Sequence, residues 1–103
     1  MAEIIWSEPA LDDIEEIAEY IAVSNFPAAQ KLMRRVFDKT QRLELFPESG
    51  RVPPEIPDLG YREVFVNPCR IFYKVENDVV YIVHVLRQER DILNFILNET
   101  ENS

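Results

Sequence analysis

Apolar residues keep a helical spacing from Leu11 to Leu43, then after Gly60 fall into short runs rich in β-branched and aromatic residues. That single change of period limits the fold more than any other feature. Helices come first and strands follow, without the repeated alternation that builds a parallel α/β sheet, so the class is α+β. At 103 residues the chain holds one hydrophobic core, and both halves belong to a single domain over 1–103.

The run Ile4-Ile5-Trp6 predicts an N-terminal strand within 1–6. Ser7 then stands as an N-cap, with Pro9 in the first turn, where its missing N–H costs nothing. Leu11, Ile14, Ala18 and Ile21 form one stripe, widened by Ile17, while Asp12, Asp13, Glu15, Glu16 and Glu19 take the other side. Asn25 caps a second helix with Pro27 in its first turn. Its stripe is Ala29, Leu32, Met33, Val36, Phe37, Thr40 and Leu43, and its outer face carries Lys31, Arg34, Arg35, Lys39 and Arg42. The short connection predicts an antiparallel helical hairpin over 8–46 with opposite outer charges, trimmed by weak cross-helix ion pairs.

Pro47, Pro53, Pro54 and Pro57, with Gly50 and Gly60, exclude a regular element from 47–60. An ordered loop of that length in a small domain is often functional or lies over a core face. Strand-like runs follow at Tyr61–Val66, Arg70–Val75 and Val79–Leu86, joined by Asn67-Pro68 and Glu76-Asn77-Asp78. They predict a three-stranded antiparallel segment over 61–87 that joins the first strand in one sheet. Ile92, Leu93, Phe95, Ile96 and Leu97 predict a short terminal helix over 90–98.

Nineteen acids against 11 bases give a net charge of −8, which repels phosphate and argues against binding nucleic acid through bulk charge. Cys69 is the only cysteine and His84 the only histidine, so no disulfide, zinc cluster or other metal or cofactor site is expected. No apolar run approaches the ~18 residues of a membrane span, and the N-terminal run is too short for a signal peptide. The expected location is the cytoplasm.

Familiar catalytic motifs are missing, and what remains is arginine. Arg51, Arg62, Arg70, Arg87 and Arg90 all lie in the strand half. Alternation sets Arg70, Phe72 and Lys74 on one face of their strand and Ile71, Tyr73 and Val75 on the other, which is the natural core face. Arg70 and Lys74 then point to an open sheet face, where Arg62 or Arg87 could join them in a cluster that holds phosphates or carboxylates. The competing reading is salt bridging of these arginines to Glu63, Glu76 or Glu89. His84 sits mid-strand among aliphatic residues and Cys69 beside a hairpin proline, and both positions favour structural roles. Phe26, Tyr61, Phe65, Phe72 and Phe95 are more large aromatics than a thin domain hides, which suggests an apolar surface for an acidic amphipathic partner that folds on binding.

In order along the chain stand Trp6-Ser7, Pro9-Ala10, Asp12-Asp13-Ile14, Ile17, Tyr20-Ile21, Asn25, Pro27-Ala28-Ala29, Leu43 to Pro47, and Gly50-Arg51. Gly60-Tyr61-Arg62-Glu63, Arg70-Ile71-Phe72-Tyr73, Val80 to Val83 and Arg90-Asp91 complete the series. This ordered set, from Ile4 to Asp91, resembles the RelE/ParE superfamily of toxins from type II toxin–antitoxin systems, and more closely its ParE branch. The resemblance implies a compact toxin neutralised by a cognate antitoxin that wraps its surface. ParE-like members are associated with poisoning DNA gyrase, without known hydrolytic chemistry. RelE-like members cut mRNA on the ribosome with basic and aromatic residues of the open face.

On the ParE-like reading, Arg51, Arg62, Arg70, Lys74, Arg87 and Arg90 would contact the target, and Phe26, Tyr61, Phe65, Phe72 and Phe95 the antitoxin. On the ribonuclease reading, Arg62, Arg70, Arg87 and Arg90 would bind phosphate, with Tyr73, Tyr81 or His84 moving protons. Two departures weigh against the second reading. Arg87 stands where many relatives carry a histidine, and Cys69 where a tyrosine or similar residue is usual. A third possibility is a non-toxic module that only co-represses an operon with its antitoxin.

Overall fold

The computed structural model describes residues 1–88 together with Ile92 and Ile96. Its elements run β1 (Glu3–Trp6), α1 (Glu8–Ser24), α2 (Phe26–Gln41), a 3-10 turn over Arg42–Glu44, β2 (Arg62–Val66), β3 (Cys69–Glu76) and β4 (Val79–Arg87). The expected helical span 8–46 is therefore two helices and a tight turn. Of the terminal helix expected over 90–98, only Ile92 and Ile96 are among the described residues, and both are helical. Arg90 and Phe95 lie outside them.

Both helices start as their sequences predict. The Ser7 hydroxyl accepts from the Ala10 N–H at 3.1 Å, and the Asn25 side-chain carbonyl accepts from the Ala28 N–H at 3.1 Å. Each cap satisfies one of the N–H groups that a helix start leaves without a partner. Asn25 also closes α1, its own N–H donating to the Ile21 carbonyl at 2.9 Å. The break between the helices is one residue wide for that reason.

The sheet order is β1-β4-β3-β2. β2, β3 and β4 form an antiparallel meander, but β1 pairs with β4 in parallel, from Glu3 opposite Val79 to Trp6 opposite Ile82. The sheet is thus mixed. Asn77 and Asp78 join β3 to β4, both at positive φ (51° and 63°), as a two-residue hairpin of this hand requires. Phe72 lies opposite His84 while Tyr73 lies opposite Ile82, so Val83 is an extra residue in β4. This bulge breaks the strand's alternation and returns Val85, opposite Ile71, to the helix side.

The helices cover one sheet face. Ile14, Leu32 and Val36 pack there with Leu43, Ile71, Tyr73, Val80, Ile82 and Val85, all buried. Where β1 stops, α1 takes over the edge of β4. The Ser7 N–H donates to the Ile82 carbonyl at 2.9 Å and its hydroxyl to the Val83 carbonyl at 3.1 Å. The Asp13 carboxylate then accepts from the Val85 N–H at 3.0 Å. The cross-helix ion pairs do not form: among the described residues, no pair joins α1 to α2.

The other sheet face is not open. The segment 47–60 crosses it as a strap whose Ile56 packs against Phe72, Leu86 and Ile92, with Tyr61, Val83 and Ile96 at the margin. Phe72 is fully buried and Arg70 is 6% exposed. The expectation of an exposed face therefore fails, because Ile56 of the strap and Ile92 beyond β4 close over the centre of β3.

Candidate functional site

The strap is tied to the sheet by a chain of alternating charges. Gly50-Arg51 runs beside β2, where Arg51 and Glu63 exchange main-chain hydrogen bonds of 3.0 and 2.8 Å. The register places Glu63 opposite Phe72 and beside Arg51 and Arg70. Its carboxylate, with 0% side-chain exposure, accepts from Arg51 Nε at 2.9 Å and from Arg70 Nε at 2.7 Å. Arg70 turns the rest of its guanidinium to Glu55 of the strap, with Nη1–Oε2 at 2.6 Å and Nη2–Oε1 at 3.0 Å. Two parallel N–H···O bonds of this kind are the strong, directional form of an ion pair.

Aromatic rings line the same chain. Arg70 lies over Phe72 at 4.9 Å from the ring centre and 6.0 Å from that of Phe65, and Arg51 lies over Phe65 at 4.8 Å. The Arg70 side chain raises its own pKa through the Glu55 hydrogen bonds first and the Glu63 pairing next, against the cost of burial. Glu55 is held below the usual carboxylate range, chiefly by its hydrogen bonds to Arg70.

Among the described residues, the structure joins only Arg70 and Arg51 of the expected arginines, through Glu63. Arg62 lies opposite Tyr73 in the register, on the other face from Arg70, and its Nη1 donates to the Glu48 and Gly50 carbonyls at 3.1 and 2.8 Å. Arg87 lies opposite Cys69, again away from Arg70, and its guanidinium stacks over Tyr20 of α1 at 5.5 Å. Lys74 sits over the Tyr61 ring at 4.5 Å. The bridge to Glu63 was legible from the sequence. Glu55 was missed, since nothing in the loop's composition singles out one acid among Glu48, Glu55 and Asp58.

The candidate proton carriers are held inside. Tyr73 is fully buried, and its hydroxyl accepts from the Gly50 N–H at 2.8 Å. Burial pushes its pKa up, partly offset by that hydrogen bond. His84 is 6% exposed, with Nδ1 3.8 Å from the Asp13 carboxylate. Cys69 is buried at the start of β3. Tyr81 is half-buried. Among the aromatic candidates for a partner, Phe26 and Phe65 are exposed and Tyr61 is half-buried, but Phe72 is covered by the strap.

Among the described residues, no cluster of His, Cys, Asp and Glu could hold a metal ion, and no helix is long and apolar enough to cross a membrane.

This fold, with two helices on one face of a four-stranded mixed sheet in the order β1-β4-β3-β2, is shared with solved structures of other proteins. The chromosomal ParDE toxin–antitoxin system from P. aeruginosa contains a chain similar to this one, with a TM-score of 0.73 at 20% identity over 86% of this chain and 98% of that one. The isolated E. coli RelE toxin matches with a TM-score of 0.57 at 14% identity over 97% and 98% of the two chains. The chain belongs to the ParE toxin family of type II toxin–antitoxin systems, which its residues 4–92 match. It is also 33% identical over 91 residues to Toxin RelE2 of Caulobacter vibrioides, covering 87% of this chain and 99% of that protein.

Proposed function

We propose that this type II toxin inhibits growth by binding DNA gyrase in the cytoplasm, does no hydrolytic chemistry of its own, and is silenced by a cognate antitoxin. One observation carries the choice of target. The groups a sheet-face ribonuclease would use are committed inside the fold: Arg70 to Glu55 and Glu63, Tyr73 to Gly50, and His84 to a buried place beside Asp13. At the position where many members of the resembled family carry a histidine stands Arg87, and a guanidinium serves poorly as a general acid or base.

In this reading Arg51, Arg62, Lys74 and Arg87, with Arg90, present positive charge to the target, and Phe26, Tyr61 and Phe65, with Phe95, meet the antitoxin. Phe72 and Arg70 contribute only where the strap lets them. The net charge of −8 also disfavours a ribosome ligand, which gains from positive steering.

The test is induction of the chain with and without its neighbouring antitoxin frame. DNA-damage signalling should rise first while mRNA stays intact, purified protein should block gyrase supercoiling, and Arg87→His should not abolish toxicity. Efficient codon-positioned cleavage of ribosome-bound mRNA by the unaltered protein overturns this reading and installs the ribonuclease in its place.

A further inference from the structure

The two carboxylates on Arg70 differ in kind. Glu63 is wholly buried and shared with Arg51, so it cannot leave without stranding two cations. Glu55 is one-third exposed, with a side-chain relative accessibility of 33%, and comes from the strap. Its neighbours Pro53 and Ile56 are buried and anchor the strap on either side. Glu55 can therefore swing to solvent by side-chain rotation while the backbone stays docked. What it would leave behind is a rigid receptor. Arg70 keeps its Nε bond to Glu63 at 2.7 Å and its stacking between Phe65 and Phe72, so Nη1 and Nη2 stay aimed at the vacated place. A guanidinium fork fixed in this way matches a planar carboxylate.

We propose that Arg70 is a carboxylate-binding fork for an acidic side chain of a protein partner, and that Glu55 is its displaceable self-ligand. This rests on the reading that arginines of the strand half contact a partner, and it names the chemistry of one such contact. The strap then regulates the contact. A partner's acid gains entry only by displacing Glu55, and a fork that is closed in ~90% of molecules binds about tenfold more weakly than an open one. An acid that enters meets a neighbour ready to exchange, since the Glu55 carboxylate is stable in water. A cation or an apolar group gains nothing there.

The experiment follows two protons by NMR in the whole protein: the Arg70 Nε–H, ordered by its bond to buried Glu63, and the Glu63 backbone N–H, bonded to the Arg51 carbonyl, which also reports where Arg70 is replaced. Glu55→Ala and wild type are titrated with acetate and with a blocked tri-glutamate peptide, at constant ionic strength. Glu55→Ala should give a saturable shift at roughly tenfold lower concentration, or less, than wild type needs. Glu55→Ala combined with Arg70→Lys should give none, since a lysine cannot offer the fork. Glu55→Gln, which keeps the side-chain volume, serves as a second opened variant if Glu55→Ala perturbs the strap. Equal titrations in wild type and both opened variants, no saturable shift, or tighter binding of phosphate than of acetate each overturn the proposal. Gyrase inhibition is scored on the same samples. Lost binding with intact inhibition removes the fork alone, whereas an intact fork without inhibition removes the gyrase reading and leaves the fork standing.

Discussion

The two faces of the sheet are closed by different physics. The helix side is filled by Ile14, Leu32, Val36, Ile71, Val80, Ile82 and Val85, an aliphatic layer in which no charge takes part. The strap side has a smaller apolar cluster of Ile56, Phe72, Leu86 and Ile92, and beside it the strap is tied down by Arg51, Glu63, Arg70 and Glu55. Aliphatic burial is non-directional and tolerates exchange of one shape for another of equal volume. A buried ionic chain is directional and tolerates no missing member. The face built on burial is therefore a scaffold, and the face built on charge is the one that can change state.

Isosteric substitutions should break this symmetry most plainly. Glu63→Gln keeps the volume but leaves Arg70 buried without its inner partner, and the cost should be about 3–5 kcal/mol, the usual penalty for breaking a buried pair. Ile71→Leu, at the centre of the other face, should cost under ~1.5 kcal/mol. Urea denaturation of both variants measures the difference. Similar losses would show that the ionic chain holds no more of the strap than aliphatic packing does.

The helix face was readable from the sequence because a periodic stripe needs only one fold-independent assumption, that apolar residues share a side. Ser7, Asn25, the hairpin at Asn77-Asp78 and the inward set Ile71, Tyr73 and Val75 all follow from local rules that the structure obeys. The strap face was not readable in the same way. Ile56 is a single apolar residue among prolines, with no period to reveal it, and Glu55 meets Arg70 across 15 residues of irregular chain. The bulge at Val83 also removed the alternation that would have sorted Arg87 from Arg70. Charge partners chosen by a loop's path leave no trace in spacing.

The next effect tests where the strap begins. A Cβ on Gly50 would stand 2.5 Å from the Tyr73 hydroxyl and 2.7 Å from the Glu63 carbonyl, neither of which can yield without opening the Arg51–Glu63 pairing. Gly50→Ala should destabilise the protein by about 3 kcal/mol, at the upper end for overpacking. Gly60, at the strap's other end, has nothing within 4 Å but sits at φ +80°, so Gly60→Ala should cost only about 1 kcal/mol of backbone strain. Thermal melts of the two variants rank the ends. A harmless Gly50→Ala would mean that the strap's first residues are not clamped.

Tyr73 reaches from the aliphatic face to the strap, and its substitution should fall between those values. Tyr73→Phe leaves the Gly50 N–H without its acceptor, at a cost of about 1–2 kcal/mol. The same hydroxyl gives a signature at high pH. Burial raises its pKa in the folded protein, so its contribution is complete below the unfolded tyrosine value of about 10 and is lost as pH rises beyond it. The wild type should lose stability above about pH 10 more steeply than Tyr73→Phe, in denaturation curves taken across that range. Parallel curves would place the hydroxyl's ionisation outside the core.

The smallest effect belongs to Glu55, and its sign is opposite. Its pKa is lowered in the folded protein, first by the Arg70 hydrogen bonds, so its contribution is present above the unfolded carboxylate value and lost as pH falls through the folded one. Wild type should therefore weaken between roughly pH 5 and pH 3 by more than Glu55→Gln, whose side chain has no proton to take up there. Because Glu55 is partly exposed and Ile56 stays docked, the difference should be well below that of Glu63→Gln, and the strap should not release. Chemical denaturation at pH 7 and pH 3.5 compares the two variants. A Glu55→Gln loss as large as that of Glu63→Gln would make Glu55 a fixed member of the ionic chain, with no freedom to exchange, and would leave Arg70 as closed to a partner as the helix face is.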